Sequence, residues 1–551
     1  MIRAWIHTAR RRPRWRGTPD RRGGKVNPSP ISSIDLGIIG GYFLVVVLIG
    51  LWLGRKHQSG DDLFLAGRSL GWKSIGFSLF TSNISSTTLI GLAGAAYTAG
   101  IAVANYEWMA ALVMVFMAFY VVPFYLKSRV TTVPEFLERR FGSGARRYFS
   151  IVTILLSILL DTAGGLYAGA LVLKTFFPSI DITTTCVVLA VVAGLYTAVG
   201  GLAAVVYTDV IQAIILIIGT SILAFITFGH FDFSWQAATA NLGDDHLSLI
   251  RPLDDPSLPW LGTLVGLPIL GFYYWAANQY IVQRVLGARN LANAQRGCLL
   301  GGMLKVLPLF IMVLPGAFAT NIFPNIERAD MVFPTMVMEL LPVGAIGIVL
   351  AGLMAAIMSS VDSTLNSAST LVTCDFVLPS RPDLTPAQTA KVGRLCTVAF
   401  MVIAAIWAPN IGRFEGLFDY LQAGFSYVVP PVATIFLMGI FTGRGGPKTA
   451  LGTLVIGHGL SAAVFVALEV HKLASIHFTI VAGAVTAVCC VVFLTLASIV
   501  EQVDPARIAG LTWQSRAGTA TTRGTPVLAR RIPAFGFAVA SATCVTVLLF
   551  W

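Results

Sequence analysis

The chain has 551 residues, of which 56% are hydrophobic and 12% charged, with a mean hydropathy of +0.78. Soluble domains carry about 25% charged residues, so the composition excludes a soluble globular protein and reads as an all-α polytopic membrane protein. The net charge of +12 does not argue for nucleic acid, because residues 1–30 hold nine basic side chains against Asp20 and leave only +4 to the rest.

Residues 1–34 are basic and Pro/Gly-rich and read as a disordered tail, without the apolar core of a cleavable signal peptide. Residues 35–551 read as one membrane domain of fourteen spans, roughly 35–54, 71–97, 101–126, 147–177, 183–203, 205–229, 259–285, 297–322, 343–376, 391–408, 414–441, 447–470, 475–499 and 533–551. With the N-terminus outside, the alternate loops that fall inside carry Arg55, Lys56 and Arg68, then Lys127 to Arg147, then Arg284, Arg289 and Arg296, then Arg381, Arg444 and Lys448. The long outside loops at 230–258 and 323–342 are acidic, as the positive-inside rule requires of a bacterial-type inner membrane. The arginine-rich tail falls on the wrong side. A start placed too far upstream, with initiation near Val26, is the preferred account of it.

The polar interruptions of the spans carry the chemistry. The second span places Thr81-Ser82-Asn83 and Ser85-Ser86-Thr87-Thr88 inside an apolar frame, and the seventh has Pro268 and Gly271 where a helix would run on. Two broken helices five spans apart are the mark of an inverted repeat, here with a core at about 71–441. Ordinary Pro/Gly kinking is the competing reading for either span alone. In the ninth span Ser359, Asp362 and Ser363 share one helix face, an oxygen-rich set suited to a hard cation; packing through small residues explains the serines as well. Glu107, Asp161, Asp209, Lys305 and Asp362 are the intramembrane charges, each a candidate site unless internal pairing, such as Glu107 with Lys305, accounts for it. Tyr273, Tyr274 and Trp275 offer flat faces for a sugar ring or an interfacial belt. The seven cysteines sit in or beside apolar segments without a CxxC, so neither a disulfide framework nor a metal cluster is expected.

Several stretches together resemble the sodium/solute symporter family, most of all its bacterial sodium/glucose- and sodium/galactose-cotransporter-like branch. They are Asn83-Ile84-Ser85, Tyr106-Glu107-Trp108-Met109, VPEFLERRF at 133–141, GGLAAVVYTDVIQ at 200–212, YYWAANQYIVQRVL at 273–286, Lys305 and SSVDSTLNSAS at 359–369. The resemblance covers about residues 60–440. It implies a LeuT-type fold of five plus five inverted helices, with one helix in front and three behind. It also implies a sodium ion (Na+) held by carbonyls of Thr81, Ile84 and Ala356 and hydroxyls of Ser359 and Ser360. A second sodium, found in some members, would fall at Asp209, Asp362 and Ser363; Asp362 departs from the small residue expected there and is the alternative holder of a proton. For the solute, Glu107, Lys305 and Gln422 match the galactose-type pocket, and Tyr274, beside Trp275, matches the inner-gate tyrosine. Thr88, Asp161 and Gly271 stand where amide side chains are expected, which changes which hydroxyls can be read.

The expected function is sodium-coupled import of a small polar solute, a sugar or polyol, across the inner membrane by alternating access. The chain would act without an enzymatic step, as a monomer in the bilayer, with solute and sodium as its partners. Symport of an amino or carboxylic acid of the proline or sialic-acid type is the rival, with Lys305 facing a carboxylate and Asp161 an ammonium. A membrane sensor is disfavoured by the short region after residue 499.

Overall fold

Apolar segments this long leave the backbone no partner but itself, so they fold as helices. The computed structural model describes residues 31–54, 64–177, 179–413, 417–501, 503, 508–513 and 532–550. The expected tail at 1–30, with Val26, lies outside the described residues. Chain order begins with helix α1 (Ser33–Gly54), which takes in the last two residues of the expected tail. The helices that build the site follow as α2 (Trp72–Asn83), α3 (Ser86–Ala99), α4 (Asn105–Phe116), α5 (Ser143–Leu156) and α6 (Ile182–Gly229). Next come α7 (Leu267–Phe272), α8 (Gln279–Leu286), α9 (Leu291–Leu304), α10 (Ala345–Leu371) and α11 (Leu417–Phe441).

Among the described residues eleven segments are long and apolar enough to span a membrane, and Ser33–Val46 and Ile182–Gly194 are shorter apolar helices. The difference from the expected fourteen lies partly in how crossings join. Helix α6 has 48 residues, about 72 Å at 1.5 Å per residue, more than twice the roughly 30 Å of hydrocarbon. Its apolar stretches, Ile182–Gly194 and Leu202–Gly229, correspond to the fifth and sixth expected spans.

Helix α10 is the most enclosed span: 89% of its most apolar window is buried, against 67% or less elsewhere. It packs along α6, and both meet α2, which lies against α9. Small residues make that last approach close. A Cβ on Gly76 would fall 2.7 Å from the Leu300 side chain, and one on Gly297 2.5 Å from Ile75. The first turn of α10 is satisfied from outside its own segment. Asp35 of α1 accepts from the Gly344 and Gly347 amides at 2.8 and 2.7 Å, placing a carboxylate on the positive end of the helix.

Among the described residues six helices contain a wide turn in which one residue is added to the ladder, and two of these turns, Ser157–Thr162 and Tyr273–Ala277, carry expected site residues. The break in the seventh expected span is displaced. The helix runs on through Pro268 and Gly271 in α7, and the interruption falls at Asn278, whose backbone is extended (φ −72°, ψ 125°) between the wide turn and α8. Proline at the second position of α7 needs no backbone donor, so it starts a helix instead of breaking one.

Candidate functional site

The first broken helix is interrupted at Ile84 (φ −78°, ψ 79°). Ser85 restarts it as an N-cap, its hydroxyl accepting from the Thr88 amide at 3.3 Å. The Ser85 amide turns back to the Asn83 carbonyl at 2.9 Å, so Thr81 does not receive the donor a continuous helix would give its carbonyl. Ser360 of α10 faces this break, its hydroxyl 2.9 Å from the Ala356 carbonyl and 3.4 Å from that of Ser82. Ser359 turns the other way and donates to Asp209 Oδ1 at 2.6 Å. Thr81 donates its hydroxyl to Phe77 and Asp209 carbonyls, leaving its own carbonyl at the break. The structure thus brings Ser360 and the Ala356 carbonyl to the Ser82 carbonyl at the break, with Thr81 and Ile84 flanking it in the chain and Ser359 turned towards Asp209. Hard oxygen ligands of this kind suit a small monovalent cation.

One turn deeper lies a buried charge cluster with a member that sequence reading put elsewhere. Arg284, expected in an inside loop, is buried on α8. Its Nε donates to Ser78 Oγ at 2.5 Å, its Nη2 donates to Ser82 and Ser363 hydroxyls, and Asp209 Oδ2 lies 3.3 Å from Nη2. Asp209 further accepts from the Ser78, Ser82 and Ser359 hydroxyls. Ser363 links the cluster to Asp362, whose Oδ1 is 3.3 Å from its hydroxyl. The second expected sodium position therefore already holds a guanidinium between Asp209 and Ser363. A run of apolar residues and QR in YIVQRVL marks the end of a span equally well as a buried turn, which is why the loop assignment failed.

Between the two helix breaks a cavity of about 140 Å³ opens. That is room for about ten water-sized positions, the scale of a hexose ring with its hydroxyls. Seven of the eight expected solute residues line it: Thr88, Glu107, Asp161, Gly271, Tyr274, Trp275 and Gln422. Lys305 lies behind, fully buried, its ammonium paired with Glu107 Oε2 and 5.4 Å from the Trp275 ring centroid. The internal pairing weighed from sequence is thus realised, and it also fixes the Glu107 carboxylate at the cavity wall. Thr88 donates its hydroxyl to the Asn83 carbonyl at 2.9 Å, which spends it on the break. Tyr280 donates to the Tyr274 hydroxyl across the floor, joining the second break to the proposed gate. Gly271 has space on this side only up to Val113, 3.2 Å from where a Cβ would stand.

Sequence reading missed Phe425, Leu421 and Thr364, which also line the cavity. The first two lie on α11, beside Gln422 on the turn that faces inward. Gln422 was the one signal available there. Ser360 lines the cavity too, so the cation-type oxygens and the solute space adjoin.

A family model described as Sodium:solute symporter family matches residues 63–457. Sodium/glucose cotransporter 4 of Danio rerio is 35% identical over 465 residues, 78% of this chain and 71% of that protein. Sodium/myo-inositol cotransporter 2 of Rattus norvegicus is 37% identical over 462 residues, 77% of this chain and 68% of that protein. Among solved structures, a Na+-coupled sialic acid symporter in a substrate-bound outward-open state superposes with a TM-score of 0.77 at 21% identity, covering 86% of this chain and 99% of that one. Mhp1, a nucleobase-cation-symport-1 family transporter, gives 0.51 at 14% identity, covering 81% and 97%. At those identities the structural likenesses speak for the fold, which is the LeuT-type arrangement expected above. The chain belongs to the sodium:solute symporter family, as a multi-pass membrane protein that couples a small solute to sodium.

Proposed function

We propose that the chain imports a sugar or polyol together with sodium by alternating access. The observation that carries this is the cavity between the two helix breaks. Its polar groups, Glu107, Gln422 and Asp161, converge over Tyr273, Tyr274, Trp275 and Phe425, and it shares Ser360 with the cation-type oxygens. Flat aromatic walls with a few oriented hydrogen-bonding groups are what a polyhydroxylated ring requires. The relatives named for glucose and myo-inositol support the same class.

In this reading sodium binds the carbonyls of Thr81, Ile84 and Ala356 and the hydroxyls of Ser359 and Ser360. A ligand shifts a conformational equilibrium only by its differential affinity. Sodium, by bridging the α2 break to α10, favours the arrangement in which the solute space is formed. Solute then binds Glu107 and Gln422, with Thr88 and Gly271 shaping the upper wall and Tyr274 closing the cytoplasmic side. Arg284 supplies Asp209 with its counter-charge, so we assign one sodium per solute and leave Asp362 and Ser363 to the guanidinium cluster. The same reading has a monomer working in a bacterial-type inner membrane with its basic loops inside. A carboxylate solute is disfavoured because Lys305, its natural partner, is already engaged by Glu107.

The test is uptake of radiolabelled hexoses and inositol into proteoliposomes under an imposed inward sodium gradient. Accumulation is expected only with the gradient. Equal accumulation with sodium balanced across the membrane defeats the coupling.

A further inference from the structure

We propose that the solute carries one positive charge: the cavity selects an amino sugar or amino cyclitol whose ammonium pairs with Asp161. This rests on the sugar-or-polyol reading above and narrows it.

Two carboxylates line the cavity, Glu107 and Asp161. Glu107 has its cation in Lys305. Asp161 has none: no Lys, Arg or His is among the residues lining the cavity, and Asp161 Oδ2 is shielded from solvent without a hydrogen-bond partner. The carboxylate is held there by its backbone. It sits in the wide turn Ser157–Thr162 that follows α5, and its neighbour Thr162 is committed twice over. The Thr162 hydroxyl lies 2.7 Å from the Ser157 carbonyl and 2.7 Å from the Thr364 hydroxyl of α10. The turn is therefore pinned to the ion-site helix, and Asp161 cannot leave the cavity edge without breaking that link.

A charge placed away from water is costly unless it is paired. Lys305 answers Glu107, which leaves Asp161 as the acid lining the cavity without a cation. A neutral hydroxyl would give Asp161 an ordinary hydrogen bond. An ammonium gives a charge-assisted one, about twice as strong, and completes the balance. Tyr273, Tyr274 and Phe425 line the same cavity, and aromatic rings attract a cation as well.

The experiment compares labelled glucosamine, glucose, N-acetylglucosamine and myo-inositol in sodium-driven proteoliposomes, at a pH where the amine is protonated. Wild type is expected to take glucosamine with a KM at least about tenfold below those of glucose and N-acetylglucosamine. Asp161→Asn should erase that preference by raising the glucosamine KM, and a sodium-dependent rise in melting temperature would certify that the variant is folded. The wild-type panel decides even if the variant fails to fold. Glucose or N-acetylglucosamine taken as well as glucosamine overturns the proposal while leaving the parent reading intact. Loss of sodium activation in Asp161→Asn with the amine preference unchanged also overturns it, by assigning Asp161 to the ion. Sodium-driven uptake of none of the four sinks both readings.

Discussion

Replacing Lys305 with Met is the sharpest test of how the pocket is held together. Methionine keeps most of the side-chain volume, so no cavity is opened, but it strands Glu107. Both side chains are enclosed, at 0% and 8% exposure. Breaking such a buried pair costs roughly 3–5 kcal/mol, because the remaining charge is left uncompensated. That displaces the unfolding equilibrium by roughly two to four orders of magnitude. The surface pair Lys472–Glu469, at 73% and 34% exposure, is the built-in contrast; Lys472→Met should cost about 1 kcal/mol or less. In the double variant Glu107→Gln/Lys305→Met no charge is stranded, and most of the loss should return. A residue of roughly 0.5–2 kcal/mol should persist from the lost contacts of the ammonium with Trp275 and Phe80. Unfolding by SDS titration in mixed micelles, followed by tryptophan fluorescence, measures the wild type, the single variants Lys305→Met, Glu107→Gln and Lys472→Met, and the double variant. A loss below about 1 kcal/mol in Lys305→Met, or a double variant as unstable as the two singles added together, would refute the reasoning.

Ser360→Ala removes the hydroxyl between the α2 break and Ala356, and should raise the sodium concentration for half-maximal uptake about tenfold or more with the protein still folded; unchanged sodium activation removes Ser360 from the ion site. Arg140→Lys should lower stability by about 2–4 kcal/mol, since the guanidinium donates to the Gly439, Thr442, Arg444 and Gly445 carbonyls at 2.6 to 3.1 Å and an ammonium cannot span that fork; the same SDS titration reads it. Gly316→Ala would set a Cβ 2.4 Å from the Ala93 carbonyl oxygen, so the helix Leu314–Ile322 must move off α3 at a cost of about 1–3 kcal/mol; a melting temperature equal to wild type contradicts that packing. Arg284→Gln leaves Asp209 without its guanidinium, so a second sodium should enter and raise the charge moved per solute by one, which solid-supported membrane currents compared with tracer flux will read; an unchanged ratio with intact transport refutes our placing of Arg284 as the resident cation.

Membrane class and most of the residues that line the cavity were legible in the chain itself. Apolar runs of spanning length admit only helices, and loop charge follows from which leaflet a loop meets. Thr81-Ser82-Asn83 and SSVDS were readable because polar residues in hydrocarbon are too costly to stand there without a role. Tertiary structure decided what such patterns leave open, namely which polar groups satisfy which. Lys305 faces Glu107 across helices nearly two hundred residues apart in sequence. Arg284, indistinguishable by composition from a loop arginine, goes inward because Asp209, Ser78, Ser82 and Ser363 together replace its water. The second break sits at Asn278 and not at Pro268, because proline near a helix start is harmless while an extended residue after a wide turn is not. And Asp161, one of five intramembrane charges in the sequence, becomes the cavity's acid without a cation only once Lys305 is seen to be taken by Glu107.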